Sequence, residues 1–174
     1  VLGICGGYQM LGQRISDPDG IEGPAGSVDG LGLLEVDTVL GGDKVLVEIS
    51  GETSQDAVPF KGYEMHIGQT TGTLRPLLRL ASGKHDGAIN DSGMVAGCYI
   101  HGLLSDDRQR QHWLQRIGVN GSELDYEADV REARNQPLAG AFVIHVLRSR
   151  LVQQDEVGMR IICVTDQLSV LRLQ

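Results

Sequence analysis

The sequence predicts an α/β domain of the kind that many enzymes use, and three observations support this prediction. The chain has 174 residues, of which 41% are hydrophobic and 22% charged, so it can bury one core of ordinary size. Its 24 glycines indicate many tight turns and favour an α/β or β-rich domain over a helical bundle. The chain also opens with a short apolar strand that passes through glycines directly into a helix.

The net charge and the cysteine usage exclude several classes of protein. A formal net charge of −8 leaves no basic excess for binding nucleic acid or an anionic membrane surface. No apolar run is long enough to predict a transmembrane helix. The three cysteines are far apart in the sequence, which predicts neither a disulfide framework nor a zinc site. A reducing cytosol is therefore the expected location.

The first half of the chain is predicted to be rich in strands. A buried strand covers residues 1–4, a short helix covers 8–14, and residues 17–32 form a loop rich in Gly, Asp and Pro. Residues 33–40 and 45–50 are predicted to pair as a hairpin, because a Gly-Gly-Asp-Lys turn separates them. Further strands are predicted over residues 60–70, 75–80, 86–90 and 94–99.

The second half is predicted to be mostly helical and to end in strands. Ser105, Asp106 and Asp107 can cap a helix over residues 108–117, whose apolar side chains share one face. Further helices are predicted over residues 124–135 and 138–153, and two last strands over 159–165 and 168–173.

The strongest chemical signal is the stretch Gly-Ile-Cys-Gly-Gly-Tyr-Gln over residues 3–9. A strand that turns sharply through small residues into a helix is the local structure of a nucleophile elbow, with Cys5 at its tip. The start of the helix favours the thiolate, and the N–H of Gly6 can face an oxyanion that develops on an attacked carbonyl. The alternative for Cys5 is a small buried hydrophobic residue, as most unpaired cysteines are.

A cysteine nucleophile needs a base, and His101 is the best placed of the five histidines. It follows a buried strand and precedes a glycine, so it is expected at the carboxyl edge of the sheet, where open α/β folds place their active sites. The strand before Cys5 ends at this edge if the two strands run parallel. The alternative for His101 is a hydrogen-bonded structural histidine. His85 is expected to be solvated and His112 to be exposed or packed.

Glu64 and His66 lie two residues apart in a predicted strand and therefore share one of its faces. Both side chains could point toward the site as an orienting group or a substrate contact. The alternative is a structural hydrogen-bond network beneath the active-site loop. No third ligand lies at useful spacing, so no metal site is predicted.

Residues 3–12, Gly-Ile-Cys-Gly-Gly-Tyr-Gln-Met-Leu-Gly, resemble the elbow of class I (triad-type) glutamine amidotransferases. The wider pattern resembles the C-terminal amidotransferase domain of cobyric acid synthases, which act in cobalamin biosynthesis. Further segments carry this resemblance, which covers roughly residues 1–135: they are residues 17–23, 30–34, 62–68 and 97–103. The resemblance implies a three-layer, flavodoxin-like α/β domain with a mixed sheet and a central Cys5 strand.

The resemblance also implies roles for individual residues. Cys5 would attack the side-chain amide of glutamine, and His101 would act as its general base and then as the acid that releases ammonia. Gly6 and Gln9 would bind the glutamine. Many relatives carry a glutamate two residues after the histidine, where this chain has Leu103. The site therefore resembles a Cys–His dyad, with Glu64 as the candidate orienter of the histidine.

The resemblance assigns residues 1–137 to the C-terminal portion of an N-terminally truncated amidotransferase domain. Residues 138–174 match the pattern poorly and are predicted to form a helix and a β-like tail. The glycine loop that supplies a second oxyanion donor is expected upstream of Val1. The resemblance also implies an ATP- and Mg²⁺-binding synthetase domain there that holds the corrinoid. This chain should therefore have no ATP site, and it contains no GxxxxGK[ST] motif. No cofactor is expected in the chain itself.

The predicted function is glutamine hydrolysis that supplies ammonia for ATP-dependent amidation of the carboxylates of adenosylcobyrinic acid a,c-diamide. Within the same class, the alternatives are a cobyrinate a,c-diamide synthase and an amidotransferase subunit of a cell-wall ligase. A non-catalytic remnant that acts as a binding module and a different cysteine hydrolase on the same elbow are further alternatives.

Overall fold

A computed structural model of the protein describes residues 1–43, 46–72, 75–118 and 161–163, the last of these by its backbone. The chain divides into two compact units, one of which holds residues 1–102 with the strand at 161–163, while the other begins at Leu103. The predicted helices over 124–135 and 138–153, the strand over 168–173 and the boundary at residue 137 lie outside the described residues.

The described part of the first unit consists of thirteen strands and one helix, α1 (Gly6–Leu11). The strands are β1 (Leu2–Ile4), β2 (Arg14–Asp17), β3 (Gly26–Asp29), β4 (Val36–Val39), β5 (Val47–Thr53), β6 (Pro59–Glu64), β7 (Gln69–Gly72), β8 (Leu78–Leu80), β9 (His85–Asp86), β10 (Ala88–Ile89), β11 (Ala96–Cys98), β12 (Ile100–His101) and β13 (Ile161–Cys163).

The first sheet has the strand order β10-β11-β1-β13 and is mixed. Strand β1 runs parallel to β11 and to β13, whereas β10 pairs antiparallel with β11. Ile4 lies opposite Cys98 in this register. The predicted mixed α/β class is confirmed, and so is the central place of the strand that leads into Cys5.

Helix α1 packs directly on β1 and β11. The two glycines Gly3 and Gly97 allow this close packing, because they carry no side chain. A Cβ atom added at Gly3 would lie 2.6 Å from the carbonyl oxygen of Gly7, and one at Gly97 would lie 2.4 Å from the ring of Tyr8. Both distances are shorter than real Cβ contacts allow. The core beside this helix is formed by six buried side chains: Tyr8, Leu11, Leu34, Val36, Ala88 and Tyr99.

Two further sheets complete the first unit. One is antiparallel throughout, with the order β12-β6-β5-β8-β9, and it carries His101 and Glu64 on neighbouring strands. The other has the order β3-β2-β4-β7, with β2 and β4 parallel. The chain passes between these sheets several times, so strands close in sequence often belong to different sheets.

Several sequence expectations about the strands are wrong. Residues 17–32 were expected to be irregular, yet β3 lies within them and pairs antiparallel with β2. The expected hairpin over 33–50 does not form, because β4 pairs with β2 and β7 while β5 joins the other sheet. The expected single strand over 60–70 is two strands in different sheets. Gly68, at a φ of +100°, makes the bend just before the second strand, a conformation that L side chains rarely adopt.

The second unit opens with a 3₁₀ turn at Leu103–Ser105, followed by α2 (Asp107–Arg116). The side chain of Asp106 accepts a hydrogen bond from the backbone N–H of Arg108, which satisfies one orphan donor of the first helical turn. The predicted helix and its cap are therefore confirmed. No helix among the described residues has the length and the apolar surface to cross a bilayer.

The close approach of α1 to β1 gives a stability prediction. Gly3→Ala would place its methyl group against the Gly7 carbonyl and the Leu11 side chain, and the backbone oxygen cannot move away without displacing the helix. We expect a loss of about 1–3 kcal/mol in the free energy of unfolding, measured by urea denaturation. Gly23→Ala is the control, because a Cβ atom there meets nothing within 4 Å. Equal losses for the two variants would contradict the packing described.

Candidate active site

Cys5 occupies a strained turn between β1 and α1. Its backbone lies at φ 54° and ψ −119°, a conformation that costs a residue other than glycine on the order of 1–3 kcal/mol. The turn is held from both sides: the Cys5 N–H donates to the carbonyl of Cys98 at 2.9 Å, and the Cys5 carbonyl accepts from the N–H of Tyr8 at 2.9 Å. This strand–turn–helix geometry is the nucleophile elbow that the sequence predicts.

The Cys5 thiol points toward the segment that follows β6. Its Sγ donates to the carbonyl oxygen of Met65 at 3.6 Å, and the residue is 3% exposed. Beside it, a Cβ atom added at Gly6 would meet nothing within 4 Å, so there is open space at the residue whose N–H the sequence assigns to an oxyanion. The structure thus places a thiol and a predicted oxyanion donor at consecutive positions of one turn.

Cys98 is the other cysteine whose side chain the structure describes, and like Cys5 it is buried. It is fully buried, and burial raises the pKa of its thiol well above the ordinary value. A thiol in such surroundings stays protonated and unreactive. Neither Cys5 nor Cys98 forms a disulfide. What favours Cys5 as the nucleophile is its place in the turn between β1 and α1, whereas Cys98 lies within strand β11.

His101 is buried on β12 and stacks on an aromatic ring of the neighbouring strand. It lies opposite Tyr63 of β6 in the antiparallel register, and the two rings are nearly parallel, with an interplanar angle of 6° and centroids 4.9 Å apart. Its Nε2 is buried and has no hydrogen-bond partner among the described residues. A buried ring nitrogen with unused hydrogen-bonding capacity is suited to proton exchange with a substrate or a nucleophile.

The topology brings Cys5 and His101 to the same part of the first unit. Strands β1 and β11 are parallel and end together, and the chain continues from β11 through Tyr99 into β12. The segment after β6 connects the two residues, because Met65 accepts from the Cys5 thiol while Tyr63 stacks on His101. Both residues therefore border positions 63–65. Their catalytic roles stay predictions.

Gln9 makes contacts that hold the same segment in place. Its Nε2 donates to the carbonyl of Ile67 at 3.0 Å and to the phenol oxygen of Tyr99 at 3.3 Å. The phenol of Tyr99 is within 2.5 Å of the Thr70 hydroxyl, which in turn lies 2.7 Å from that of Thr38. This chain of side chains ties α1 to β7 and β4. The proposed contact of Gln9 with a glutamine substrate stays a prediction.

Glu64 pairs with His66 rather than with His101. The Glu64 carboxylate lies 2.7 Å from Nε2 of His66, and the His66 ring stacks on Tyr99 with centroids 3.6 Å apart. In the register of β6 and β12, Glu64 is opposite Ile100, so its side chain and that of His101 leave the strand pair on opposite faces. These contacts match the structural alternative. The orienting role of Glu64 stays a prediction without a supporting contact among the described residues.

No group of three His, Cys, Asp or Glu side chains that could hold a metal ion occurs within the described residues. The Glu64–His66 pair accordingly has no third ligand in this part of the chain.

Asp86 is a half-buried residue with a perturbed carboxyl that the sequence reasoning missed. It lines a cavity of about 300 Å³ together with Tyr8, Thr70 and Tyr99, and its Oδ2 accepts from the backbone N–H of Tyr99 at 2.9 Å. Burial raises the pKa of Asp86 from 3.8 to about 6, and the nearby charge of Glu64 adds to this effect. Its position in a two-residue strand between turns gave no periodic signal.

Comparison with known proteins places most of the chain in one family. Residues 1–109 match the CobB/CobQ-like glutamine amidotransferase domain. A cobyric acid synthase of Bradyrhizobium sp. (strain ORS 278) is 57% identical over 148 residues, which are 84% of this chain and 30% of the relative. The corresponding protein of Methylobacterium nodulans is 55% identical over 132 residues, 75% of this chain and 27% of the relative.

A third cobyric acid synthase, from Azorhizobium caulinodans, is 49% identical over 154 residues, which are 87% of this chain and 31% of the relative. The chain therefore spans somewhat under a third of the length of the curated relatives that it matches.

The raised pKa of Asp86 predicts how stability depends on pH. Between about pH 4 and pH 6 the folded protein keeps a proton that the unfolded chain has released, so stability falls as the pH rises through this range. The shift from 3.8 to about 6 sets an upper bound of about 3 kcal/mol on the loss. Asp86→Asn removes the ionisation but keeps an oxygen that can accept from Tyr99.

We therefore expect the free energy of unfolding of Asp86→Asn, minus that of the unchanged protein, to increase as the pH rises from about 4 to about 7. Urea denaturation of both proteins across this range measures the difference, in which the other titrating groups cancel to first order. A stability difference that does not vary with pH would contradict the raised pKa.

Proposed function

The chain belongs to the CobB/CobQ-like glutamine amidotransferase domain family, and from this premise we propose that it hydrolyses glutamine and releases ammonia for an amidation. The observation that carries the proposal is the elbow at Cys5, where a strained backbone holds a thiol beside the open space at Gly6. His101, with a buried and unpartnered Nε2 within the described residues, supplies the base.

The proposed reaction begins with attack of the Cys5 sulfur on the side-chain amide carbon of glutamine. The thiol donates to the Met65 carbonyl, so its proton has to turn from that oxygen to the imidazole of His101. The new C–S bond converts the amide oxygen into an oxyanion, which the N–H of Gly6 would stabilise. When the C–N bond breaks, His101 returns the proton to the leaving nitrogen and ammonia departs.

Hydrolysis of the thioester completes the cycle. His101 takes a proton from water, the resulting hydroxide attacks the thioester carbon, and the C–S bond breaks to give glutamate and the Cys5 thiolate. The proton on His101 then restores the thiol. Gln9 and the segment over residues 65–67, which its side chain holds, would form the wall against which glutamine binds.

We propose in addition that the ammonia serves an ATP-dependent amidation of the carboxylates of adenosylcobyrinic acid a,c-diamide. The relatives named above are cobyric acid synthases, and the chain matches less than a third of their length. The corrinoid, ATP and Mg²⁺ would be bound by the part of such a protein that lies outside this chain. A cytosolic location also remains part of the proposal.

One alternative within the family is supported by a specific observation. The description of the matching domain joins two names, CobB and CobQ, so a second synthase of the same family, a cobyrinate a,c-diamide synthase, is the second candidate. Both candidates use the same glutamine hydrolysis, and they differ in the carboxylates that receive the ammonia. Supplying each corrinoid in turn and identifying the amidated product by mass spectrometry separates them.

The nucleophile is tested with Cys5→Ser in a chimera in which this chain replaces the matching region of the full-length Bradyrhizobium relative. We expect glutamine-dependent amidation to be lost, because a serine hydroxyl is a much poorer nucleophile than a thiolate. Amidation from an added ammonium salt should persist, because that step does not use Cys5.

Cys98→Ala is the matched control, since Cys98 is a buried cysteine with a raised thiol pKa. It should keep the use of glutamine. Near-normal glutamine use by Cys5→Ser would show that the assigned nucleophile is wrong.

The base is tested with His101→Ala in the same chimera. We expect glutamine hydrolysis, followed by the release of glutamate, to fall by about 10²–10⁴-fold, the usual scale of general acid–base catalysis. His85→Ala should keep the rate, because His85 lies on the exposed strand β9 away from β12.

Glu64→Ala completes the series, because the Glu64 carboxylate pairs with His66 and not with His101. We expect it to lower the melting temperature while the rate at permissive temperature stays within a few-fold of normal. A rate loss as large as that of His101→Ala would instead show that Glu64 orients the base.

A further inference from the structure

We propose that Tyr63 is a positioning residue that fixes the plane of the His101 imidazole for proton transfer. This inference rests on the proposed glutamine hydrolysis. It starts from the stacked pair on β6 and β12, where the two rings lie within 6° of parallel and their centroids are 4.9 Å apart.

The base requires a partner that fixes its ring, and no carboxylate within residues 1–43, 46–72 and 75–118 contacts it. Leu103 stands two residues after the histidine and has no hydrogen-bonding group in its side chain. The Glu64 carboxylate lies on the other face of the strand pair and contacts His66. Nε2 of His101 has no hydrogen-bond partner within the described residues. The face of the Tyr63 ring is therefore the contact that constrains the orientation of the imidazole.

The backbone holds this pair tightly, because β6 approaches β12 through a glycine. A Cβ atom added at Gly62 would lie 2.2 Å from the carbonyl oxygen of His101, a distance that no side chain at this position could satisfy without moving the strands apart. Tyr63 also lies between two strands, opposite His101 on one side and Glu48 on the other. The backbone of the stacking partner is thus fixed in the sheet by two neighbouring strands, while its ring, on a residue that is 40% exposed, covers one face of the buried imidazole.

Stacking suits a catalytic base, because it does not occupy a ring nitrogen as an in-plane hydrogen bond would. Contact through the ring face constrains the ring plane and leaves the nitrogen atoms at the ring edge available for the thiol and the leaving group. When the imidazole takes the thiol proton, the resulting cation faces the electron-rich surface of the tyrosine ring, which attracts it. The contact with His101 is made by the ring of Tyr63 and does not require its phenol hydroxyl.

The first test compares Tyr63→Leu with Tyr63→Phe in the chimera of this chain with the full-length Bradyrhizobium relative. We expect Tyr63→Leu to lower kcat for glutamine hydrolysis by about 10- to 100-fold with KM within about three-fold, because a misoriented base affects the transition state more than substrate binding. Tyr63→Phe keeps the ring and should retain kcat within about two-fold.

Lys61→Leu is the matched control for an apolar substitution on the same strand. Lys61 is exposed and lies two residues before Tyr63, on the same face of β6, where it pairs with Ser50. It should leave kcat unchanged.

A second readout is independent of activity. The ring current of a stacked aromatic side chain shifts the ring protons of His101 upfield in the NMR spectrum, so Tyr63→Phe should keep these resonances near their original positions. Tyr63→Leu should move them toward the positions of an unstacked histidine, while the backbone spectrum outside β6 and β12 stays unchanged. His101→Ala assigns the resonances.

The two readouts separate the possible failures. Equal kcat values for the unchanged chain and Tyr63→Leu, or equal losses for Tyr63→Leu and Tyr63→Phe, would overturn the positioning role. If the unchanged chain hydrolyses no glutamine even when placed in the full-length relative, the proposed function fails. The orientation of His101 by Tyr63 would then be decided by the NMR shifts, and shifts that are the same in Tyr63→Leu would overturn it.

Discussion

The candidate site depends above all on the parallel pairing of β1 with β11. Ile4 lies opposite Cys98, and the next N–H along the chain, that of Cys5, donates to the Cys98 carbonyl. Parallel neighbours end at one edge of a sheet, so the residues after both strands meet there. Gly3 and Gly97 make the arrangement possible, because a side chain at either position would strike α1 or its Tyr8 ring.

The antiparallel sheet supplies the other wall of the site and distinguishes its two histidines. His66 has a carboxylate partner in Glu64 at its Nε2 and a stacking partner in Tyr99, and its Nδ1 is buried with no hydrogen-bond partner among the described residues. His101 has a stacking partner in Tyr63 and a buried nitrogen without a partner among the described residues. Both imidazoles therefore keep one unsatisfied buried nitrogen, and the difference between them is the Glu64 carboxylate, which holds the ring of His66 and does not contact His101.

Local sequence signals predicted the elements whose stabilising contacts are also local. The elbow around Cys5 needs only small flanking residues, and the cap of α2 needs only Asp106 beside the first helical turn. The same signals did not predict that β2 pairs with β3, or that the strand over residues 60–70 ends at Glu64 and resumes in another sheet. The partners of these strands are chosen by backbone hydrogen bonds between distant segments, and these bonds leave no periodic pattern in the side chains.

The sequence by itself determined the nucleophile elbow, the strand end that carries His101 and the family resemblance, because each depends on residue types within one short segment. Tertiary structure alone decided what each side chain contacts. It placed Glu64 on His66, brought the Asp86 carboxylate to the backbone N–H of Tyr99 and stacked Tyr63 on His101. Such contacts depend on strand register, where a shift of one residue sends a side chain to the opposite face of the sheet.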